Sequence, residues 1–266
     1  MKIALLQTRV YRDKADNLKE AAEKAAFAAL QGAEFAILPE MFNCPYETKC
    51  FPLFAEERGG ESWQALSAMA RENRLVLIGG SVPEREGDRL YNTSFVFGPD
   101  GEELAYHRKA HLFDIDIVGK QRFCESDSFT PGEKATLFEA DGHTFGLAIC
   151  FDIRFPELFR KMALEGAEAV FVPAAFNMTT GPMHWELSFR MRAVDNQLFT
   201  IGCAPARDRT GRYVSYANSL VCDPWGKVLA NAGEEPGVTL CDIDLNEILS
   251  VRQQLPILSA RRPEIY

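Results

Sequence analysis

Short apolar runs alternate with longer amphipathic patterns along this chain. The runs are rich in β-branched and aromatic residues and predict strands, whereas apolar positions that recur every three or four residues predict helices. The predicted strands span residues 3–10, 34–39, 75–80, 90–97, 103–107, 135–139, 144–149, 169–172, 198–203, 219–222, 227–230 and 238–243. The predicted helices span residues 13–31, 62–73, 154–165, 184–197 and 245–254. This alternation indicates a mixed α/β protein.

The number of predicted strands limits how they can be arranged. Pro99-Asp100-Gly101 and Asp141-Gly142 are strong turn signals, and each predicts a hairpin between the strands beside it. So many strands exceed what one sheet with few helices needs, whereas two sheets packed face to face and covered by helices would bury them. We therefore predict a four-layer α-β-β-α sandwich, although periodicity alone does not count sheets. No linker, repeat or low-complexity segment divides the chain, so we predict one domain over residues 1–266.

Composition narrows the class of protein. Of the 266 residues, 47% are hydrophobic and 25% are charged, which is typical of soluble globular proteins. The net charge of -9 argues against nucleic acid or an anionic membrane as the main partner. No apolar stretch approaches the roughly 20 residues of a membrane helix, and the N-terminal run is too short for a signal peptide. The seven cysteines include no Cys-x-x-Cys pair, which predicts free thiols in a reducing cytoplasm and neither a zinc site nor a disulfide framework.

Three chemically useful side chains follow predicted strands. Glu40 and Lys109 come after the strands at 34–39 and 103–107, and Cys150 lies between the strand at 144–149 and a helix-like segment. The free N–H groups of a helix start would lower the pKa of a thiol there. Taken singly, each residue has an ordinary alternative: a buried structural cysteine, and a solvated glutamate and lysine. Their shared position at strand ends makes the set a candidate site.

The three residue types together suit attack on an unactivated carbonyl. That reaction needs a nucleophile, a base that receives its proton and a cation for the developing oxyanion. Cys150 is the candidate nucleophile, and Glu40 is the candidate base if burial raises its pKa. Lys109, with the backbone N–H of Phe151, is the candidate oxyanion stabiliser. A Cys–His pair is less well supported, because none of the four histidines lies in a recognisable protease context.

Three segments resemble the signature segments of the nitrilase, or carbon–nitrogen hydrolase, family. They are residues 38–42 (LPEMF), 106–109 (YHRK) and 146–157 (GLAICFDIRFPE). The resemblance runs the whole length of the chain and implies a four-layer sandwich, a Glu-Lys-Cys catalytic set and a thioester intermediate. It implies no metal and no organic cofactor. It also implies a homodimer, built on the helix at 184–197 and the end of the chain.

Other segments resemble the omega-amidase branch of that family. They are residues 109–116 (KAHLFDID), 176–186 (FNMTTGPMHWE), 192–197 (RAVDNQ), 205–208 (PARD), 223–226 (DPWG) and 252–257 (RQQLPI). Omega-amidases hydrolyse the terminal amide of 2-oxoglutaramate and 2-oxosuccinamate to the 2-oxo diacid and ammonia. A fourth family position, a second glutamate, falls at Glu125, where the resemblance implies that it orients the lysine and the substrate amide. Its ordinary alternative is a solvated loop acid.

A substrate of this kind carries a carboxylate remote from the reacting amide. Arg154 lies four residues after Cys150 and can face the same pocket, where a guanidinium can hold a carboxylate through two hydrogen bonds. The resemblance implies that Arg154, Thr180 and Tyr46 hold this carboxylate and that Phe176 walls the pocket. The alternative for Arg154 is an ion pair with a nearby acid, either Glu157 or Asp152. The alternatives for the others are core packing of the two aromatic rings and a helix cap at Thr180.

The most favoured function is therefore omega-amidase activity on a small-molecule amide. Other amidases of the same family remain open, acting on deaminated glutathione, an N-carbamoyl amino acid or an aliphatic amide. A true nitrilase could use the same residues. A non-catalytic scaffold on this fold is disfavoured, because a pure binding module has no need for the four residues Glu40, Lys109, Glu125 and Cys150 together.

Overall fold

The computed structural model describes residues 1–117 and 121–265, with Gln121 described by its backbone only. Its helices are α1 (Lys14–Leu30), α2 (Phe51–Phe54), α3 (Glu61–Asn73), α4 (Pro156–Leu164), α5 (Gly181–Asn196) and α6 (Glu247–Gln254). Strands in the first half are β1 (Lys2–Gln7), β2 (Phe35–Ile37), β3 (Glu56–Glu57), β4 (Val76–Ile78), β5 (Val82–Glu86), β6 (Arg89–Phe97), β7 (Glu103–Arg108), β8 (Asp114–Ile117) and β9 (Gln121–Cys124). Strands in the second half are β10 (Thr136–Ala140), β11 (His143–Leu147), β12 (Ala169–Pro173), β13 (Phe199–Cys203), β14 (Leu220–Cys222), β15 (Val228–Asn231) and β16 (Gly237–Asp242).

These strands form two large sheets and a small hairpin. The first sheet has the order β16-β1-β2-β4-β6-β5-β3, with β7 also paired to β6, and the second has the order β10-β11-β12-β13-β14-β15. Each sheet has a parallel centre, β1-β2-β4 in the first and β11-β12-β13 in the second. Strands β8 and β9 pair only with each other in the described part of the chain.

Alternating side chains place the sheets face to face and the helices outside. In β1, Ile3 and Leu5 join a core that includes Phe145 and Phe171 of the second sheet. Their neighbours Ala4 and Leu6 pack instead with apolar residues of α1 and α3. On the far side of the second sheet, α4 and α5 supply another buried cluster that contains Trp185. The period-two alternation of a strand therefore serves two interfaces at once. The predicted four-layer α-β-β-α sandwich is confirmed.

The predicted hairpins β6–β7 and β10–β11 are present, and most differences from the predicted elements lie at strand ends and in short strands. Strand β1 ends at Gln7 rather than at residue 10, because its pairing with β16 ends at Gln7 opposite Gly237. Strand β5 was not predicted, since Pro83 removes a backbone donor and argues against a strand. Strands β3 and β8 were not predicted either, because neither contains an apolar run: β3 is the polar pair Glu56–Glu57, and acidic residues alternate in β8. None of the described helices is long and apolar enough to span a membrane.

Candidate active site

Three charged side chains from distant parts of the sequence meet inside the protein. Lys109 Nζ lies 2.8 Å from Glu40 Oε1 and 2.7 Å from Glu125 Oε2, and all three residues are fully buried. Glu40 follows β2, Lys109 follows β7 directly, and Glu125 follows β9 directly. The structure therefore brings together the predicted glutamates and lysine on loops that are anchored at strand ends.

Additional hydrogen bonds orient both carboxylates. Asn92 Nδ2 donates to Glu40 Oε1 at 2.8 Å and lies 3.3 Å from Glu125 Oε1. The Tyr46 hydroxyl donates to Glu125 Oε1 at 2.7 Å, and the backbone N–H of Phe113 donates to Glu125 Oε2 at 2.6 Å. Hydrogen bonds to charged groups are stronger than neutral ones, so this network holds the lysine and both acids in one arrangement.

Burial and charge act in opposite directions within this cluster. Burial raises the pKa of Glu40; the Lys109 charge opposes this and the Glu125 charge adds to it, and the net direction is upward. Burial alone would lower the pKa of Lys109, but the charges of Glu125 and Glu40 outweigh it and raise the pKa. Lys109 therefore stays protonated, while Glu40 moves towards the pKa range of a general base. Across the described ranges, no group of three or more His, Cys, Asp or Glu side chains is suited to hold a metal ion.

Cys150 lies on a strained turn rather than at the start of an α-helix. Its φ of 44° is in the left-handed region, which non-glycine residues rarely occupy. It begins a short 3₁₀ segment, Cys150–Arg154, and the extended residue Phe155 separates that segment from α4. The predicted helix at 154–165 therefore begins too early, because Pro156 disfavours a helical conformation at the residue before it.

The environment of Cys150 favours the protonated thiol. Burial raises its pKa and the Glu40 charge raises it further, while Lys109 and the Ala175 N–H, 3.5 Å from Sγ, oppose the shift. The expectation that a helix start lowers this pKa is wrong, because the thiol is desolvated beside a carboxylate. Among the described residues, no nitrogen or oxygen donates to Glu40 Oε2, which leaves that oxygen for the thiol. A neutral thiol beside a carboxylate of raised pKa fits base-assisted attack.

Asp152 connects the turn of the nucleophile to the loop of the lysine. Its Oδ2 accepts from the backbone N–H of Ile149 at 2.9 Å and lies 3.0 Å from His107 Nε2. Its Oδ1 lies 2.7 Å from His111 Nδ1 and accepts from the backbone N–H of the same residue at 2.9 Å. Burial raises the pKa of Asp152, but the hydrogen bonds with His107 and His111 outweigh it and lower the pKa. The two histidines lie two residues on either side of Lys109, so Asp152 holds both loops together.

A small cleft opens at Cys150, and Arg154 lies in its wall. The cleft is lined by Phe113, Cys150, Phe151, Arg154, Ala175, Phe176, Asn177, Thr180 and Tyr213. The Arg154 guanidinium carbon lies 4.9 Å from the ring centre of Phe176 and 5.6 Å from that of Phe151. Burial lowers the pKa of Arg154. The sequence spacing thus placed Arg154 correctly beside Cys150.

Neither acid considered as a partner of Arg154 pairs with it. Asp152 is bound to the two histidines instead. No ion pair joins Arg154 to Glu157 or to any other carboxylate of the described residues. The guanidinium therefore contributes an uncompensated positive charge to the cleft.

The remaining predicted residues lie in different places. Phe151, Phe176 and Thr180 line the cleft, and Phe176 also packs against Trp185, with ring centres 5.2 Å apart. The Thr180 hydroxyl does not cap α5 and donates to Asn177 Oδ1 at 3.4 Å. Tyr46 lies outside the cleft lining, and its hydroxyl hydrogen goes to Glu125. Tyr46 therefore supports the charged cluster rather than the part of the cleft that contains Arg154.

Several site residues were missed by sequence reasoning. Asn92 lies in the polar triplet Asn92-Thr93-Ser94 within an otherwise apolar strand, which is a readable signal. Asp152 was considered only as a partner of Arg154. Ala175 acts through its backbone N–H, and Tyr213 comes from a loop, where its hydroxyl donates to the Ala175 carbonyl. No local pattern indicates either of these last two contacts.

Comparisons with known proteins show the family to which this chain belongs. A family model described as carbon–nitrogen hydrolase matches residues 2–253. Omega-amidase NIT2 of Danio rerio is 49% identical over 265 residues, which is 100% of this chain and 96% of the relative. Omega-amidase NIT2 of Homo sapiens is 47% identical, with the same coverage of both chains.

Solved structures match over the whole chain as well. The crystal structure of Nit3 from Saccharomyces cerevisiae, a member of branch 10 of the nitrilase superfamily, is 37% identical with a TM-score of 0.90, and the match covers 100% of this chain and 97% of that one. A mutant amidase from Nesterenkonia sp. AN1 carries acrylamide added at its active-site cysteine. It is 28% identical with a TM-score of 0.82, and the match covers 100% and 98% of the two chains. These findings confirm the resemblance to nitrilases and omega-amidases, and the chain belongs to the carbon–nitrogen hydrolase family of enzymes.

Proposed function

We propose that this enzyme hydrolyses the terminal amide of small dicarboxylate monoamides such as 2-oxoglutaramate and 2-oxosuccinamate, releasing ammonia and the 2-oxo diacid. One observation carries this choice: Arg154 shares a cleft with Cys150 and pairs with no carboxylate of the described residues. A carboxylate at the far end of a short substrate would supply the missing charge through two parallel hydrogen bonds. The name of the Danio rerio relative, omega-amidase, supports the same substrate class.

The first half of the proposed reaction forms a thioester. Cys150 Sγ attacks the amide carbon while Glu40 Oε2 takes the thiol proton. The Lys109 ammonium, with the backbone N–H of Phe151, stabilises the negative oxygen of the tetrahedral intermediate. Glu40 then gives its proton to the amide nitrogen, the C–N bond breaks, and ammonia leaves. The addition of acrylamide to the active-site cysteine of the Nesterenkonia amidase supports a cysteine nucleophile.

The second half hydrolyses the thioester. Glu40 removes a proton from water, and the resulting hydroxide adds to the thioester carbon. The C–S bond breaks, and Glu40 returns the proton to the Cys150 sulfur. One amide and one water are thereby converted into one carboxylic acid and one ammonia. Glu125 keeps the Lys109 ammonium in place through both halves, since it accepts from Nζ at 2.7 Å.

Ammonia release from a panel of compounds tests this proposal. The panel contains 2-oxoglutaramate, 2-oxosuccinamate, deaminated glutathione, an N-carbamoyl amino acid, an aliphatic amide and an aliphatic nitrile. We expect the two dicarboxylate monoamides to have the highest kcat/KM values. A higher value for any other member would replace the proposed substrate class with that compound's class.

Substitution of the nucleophile tests the covalent mechanism. Cys150→Ala should lower kcat by several orders of magnitude and leave the fold unchanged, because an essential nucleophile is lost. The matched control is Cys222→Ala, which removes a buried thiol that has no part in the cleft. Residual activity of the Cys150→Ala variant above about 1% would contradict a thioester route.

A homodimer remains a prediction from the family resemblance, and a cytoplasmic location remains a prediction from the free cysteines. Helix α5 exposes Met183, Leu187 and Met191, spaced by four residues, which favours a helix face that another copy covers. Analytical ultracentrifugation tests the oligomeric state directly.

A further inference from the structure

His184 lies beside Arg154 and has no part in the proposed reaction. Its Nδ1 is 3.1 Å from Arg154 Nη1, and it belongs to the first turn of α5. The residue is exposed and does not line the cleft. Its position raises the question of what a histidine contributes next to an arginine.

The contact requires a neutral histidine. An arginine side chain has only hydrogen-bond donors, so His184 Nδ1 must be the acceptor and its ring hydrogen must sit on Nε2. Among the described residues, the guanidinium also lies over the faces of the Phe176 and Phe151 rings. All three groups are uncharged, and none of them neutralises the arginine.

A carboxylate at position 184 would act differently. It would form an ion pair with Arg154 and would compete with the carboxylate of a substrate for the same N–H groups. A neutral acceptor instead fixes one edge of the planar guanidinium and leaves its charge available. Ordering a long side chain before a ligand arrives also reduces the entropy that binding must offset.

We propose that His184 is a positioning residue that sets the preference of this enzyme for amides with a remote carboxylate, because it holds Arg154 in the cleft through a neutral hydrogen bond. This inference rests on the proposed function, in which Arg154 binds that carboxylate. It concerns selectivity rather than the reacting atoms, so its signature is a change in KM for acidic substrates only.

A graded series of variants tests the inference. His184→Asn keeps an acceptor close to the Nδ1 position, His184→Ala removes it, and His184→Asp replaces it with a charge. KM and kcat are measured with 2-oxoglutaramate, and the inhibition constant of pentanamide, an uncharged amide of the same chain length, is measured against it.

We expect the KM for 2-oxoglutaramate to rise in the order Asn, Ala, Asp. The expected values are within about twofold of wild type for His184→Asn, about three- to tenfold higher for His184→Ala and tenfold or more for His184→Asp. The kcat values and the pentanamide inhibition constant should stay near those of wild type. An unchanged KM in His184→Asp, or parallel losses for both compounds, would overturn the inference.

Two controls keep the result specific. His143 pairs with Glu168 at 2.8 Å and does not line the cleft, so His143→Asp should leave all these constants unchanged. Sedimentation of each variant tests whether the oligomeric state has changed. This control is needed because His184 is next to the exposed Met183.

The same measurements separate this inference from the proposed function. If wild type shows no preference for 2-oxoglutaramate over pentanamide, the proposed function fails and the inference fails with it. A different result would contradict the role of His184 alone. In that case wild type prefers 2-oxoglutaramate, Arg154→Met abolishes this preference, and every His184 variant retains it.

Discussion

Lys109 and Arg154 are two cations close to the same thiol, and the protein surrounds them differently. Lys109 is fully buried between Glu40 and Glu125, and their charges raise its pKa. Arg154 lies over two aromatic rings beside a neutral histidine, and burial lowers its pKa. A cation whose charge is already balanced can order a site and still polarise an oxygen a few ångströms away. A cation without a carboxylate attracts one from outside. The first arrangement suits catalysis and the second suits selection of an anionic substrate.

The largest effect is expected from the removal of Lys109, the cation that lies between two carboxylates. Lys109→Met leaves two buried carboxylates without their cation, so we expect kcat to fall by about a thousandfold or more and the free energy of unfolding to fall by about 3–5 kcal/mol. Kinetics with 2-oxoglutaramate and urea unfolding measure the two changes. Lys19→Met, at an exposed position, is the control. A Lys109→Met enzyme with near-normal kcat would remove the lysine from the catalytic set.

A smaller effect on the kinetics is expected from substitution of Arg154, which pairs with no carboxylate of the described residues. Arg154→Lys keeps the charge but loses the planar fork, so we expect KM for 2-oxoglutaramate to rise about tenfold with little change in kcat. Arg74→Lys is a useful control, because Arg74 pairs with Asp100 at 2.9 Å and does not line the cleft. If Arg154→Lys lowers kcat and leaves KM unchanged, the division of roles between the two cations is wrong.

The smallest expected effect is a shift in pH dependence. Glu40 acts as a base only when ionised, and its pKa is raised above the ordinary 4.5, so activity should be lost on acidification at a pH above 4.5. Asn92→Ala removes a donor to the Glu40 carboxylate and should move this acid limb of kcat/KM upward by about half to one pH unit. The control is Asn73→Ala, because the Asn73 side chain donates its hydrogen bond to the Met69 carbonyl. An acid limb that stays in place or moves downward would show that Asn92 does not stabilise the ionised base.

Most strands and the positions of the main reactive residues were accessible from local patterns, whereas the four layers were predicted from the number of strands and the family resemblance. The continuous apolar run of β1 predicts a strand buried on both faces, and the structure uses both faces. Glu40 and Cys150 each follow an apolar run and Lys109 follows another predicted strand, so the ends of predicted strands located all three. The short strand Glu56–Glu57 lacks such a run and was not predicted. Strand β5 was not predicted because it contains Pro83, and a proline argues against a strand.

The chemistry at these positions depended on contacts between distant segments. Lys109 and Glu40 are 69 residues apart in the sequence, and Tyr46 and Glu125 are 79 apart. The pKa of Cys150 was expected to be low from its local setting and is raised by burial and by Glu40. A pKa responds to charges and solvent through space, and neither follows from neighbours in the chain.

The sequence by itself determined which residue types are available and the alternation that buries them, because apolar periodicity is a local property. Only the tertiary structure decided that Asp152 pairs with the histidines that flank the lysine and not with Arg154. That choice leaves the arginine charge open to a ligand. Partner choice is a competition among all nearby groups, and the folded chain alone sets which groups are near.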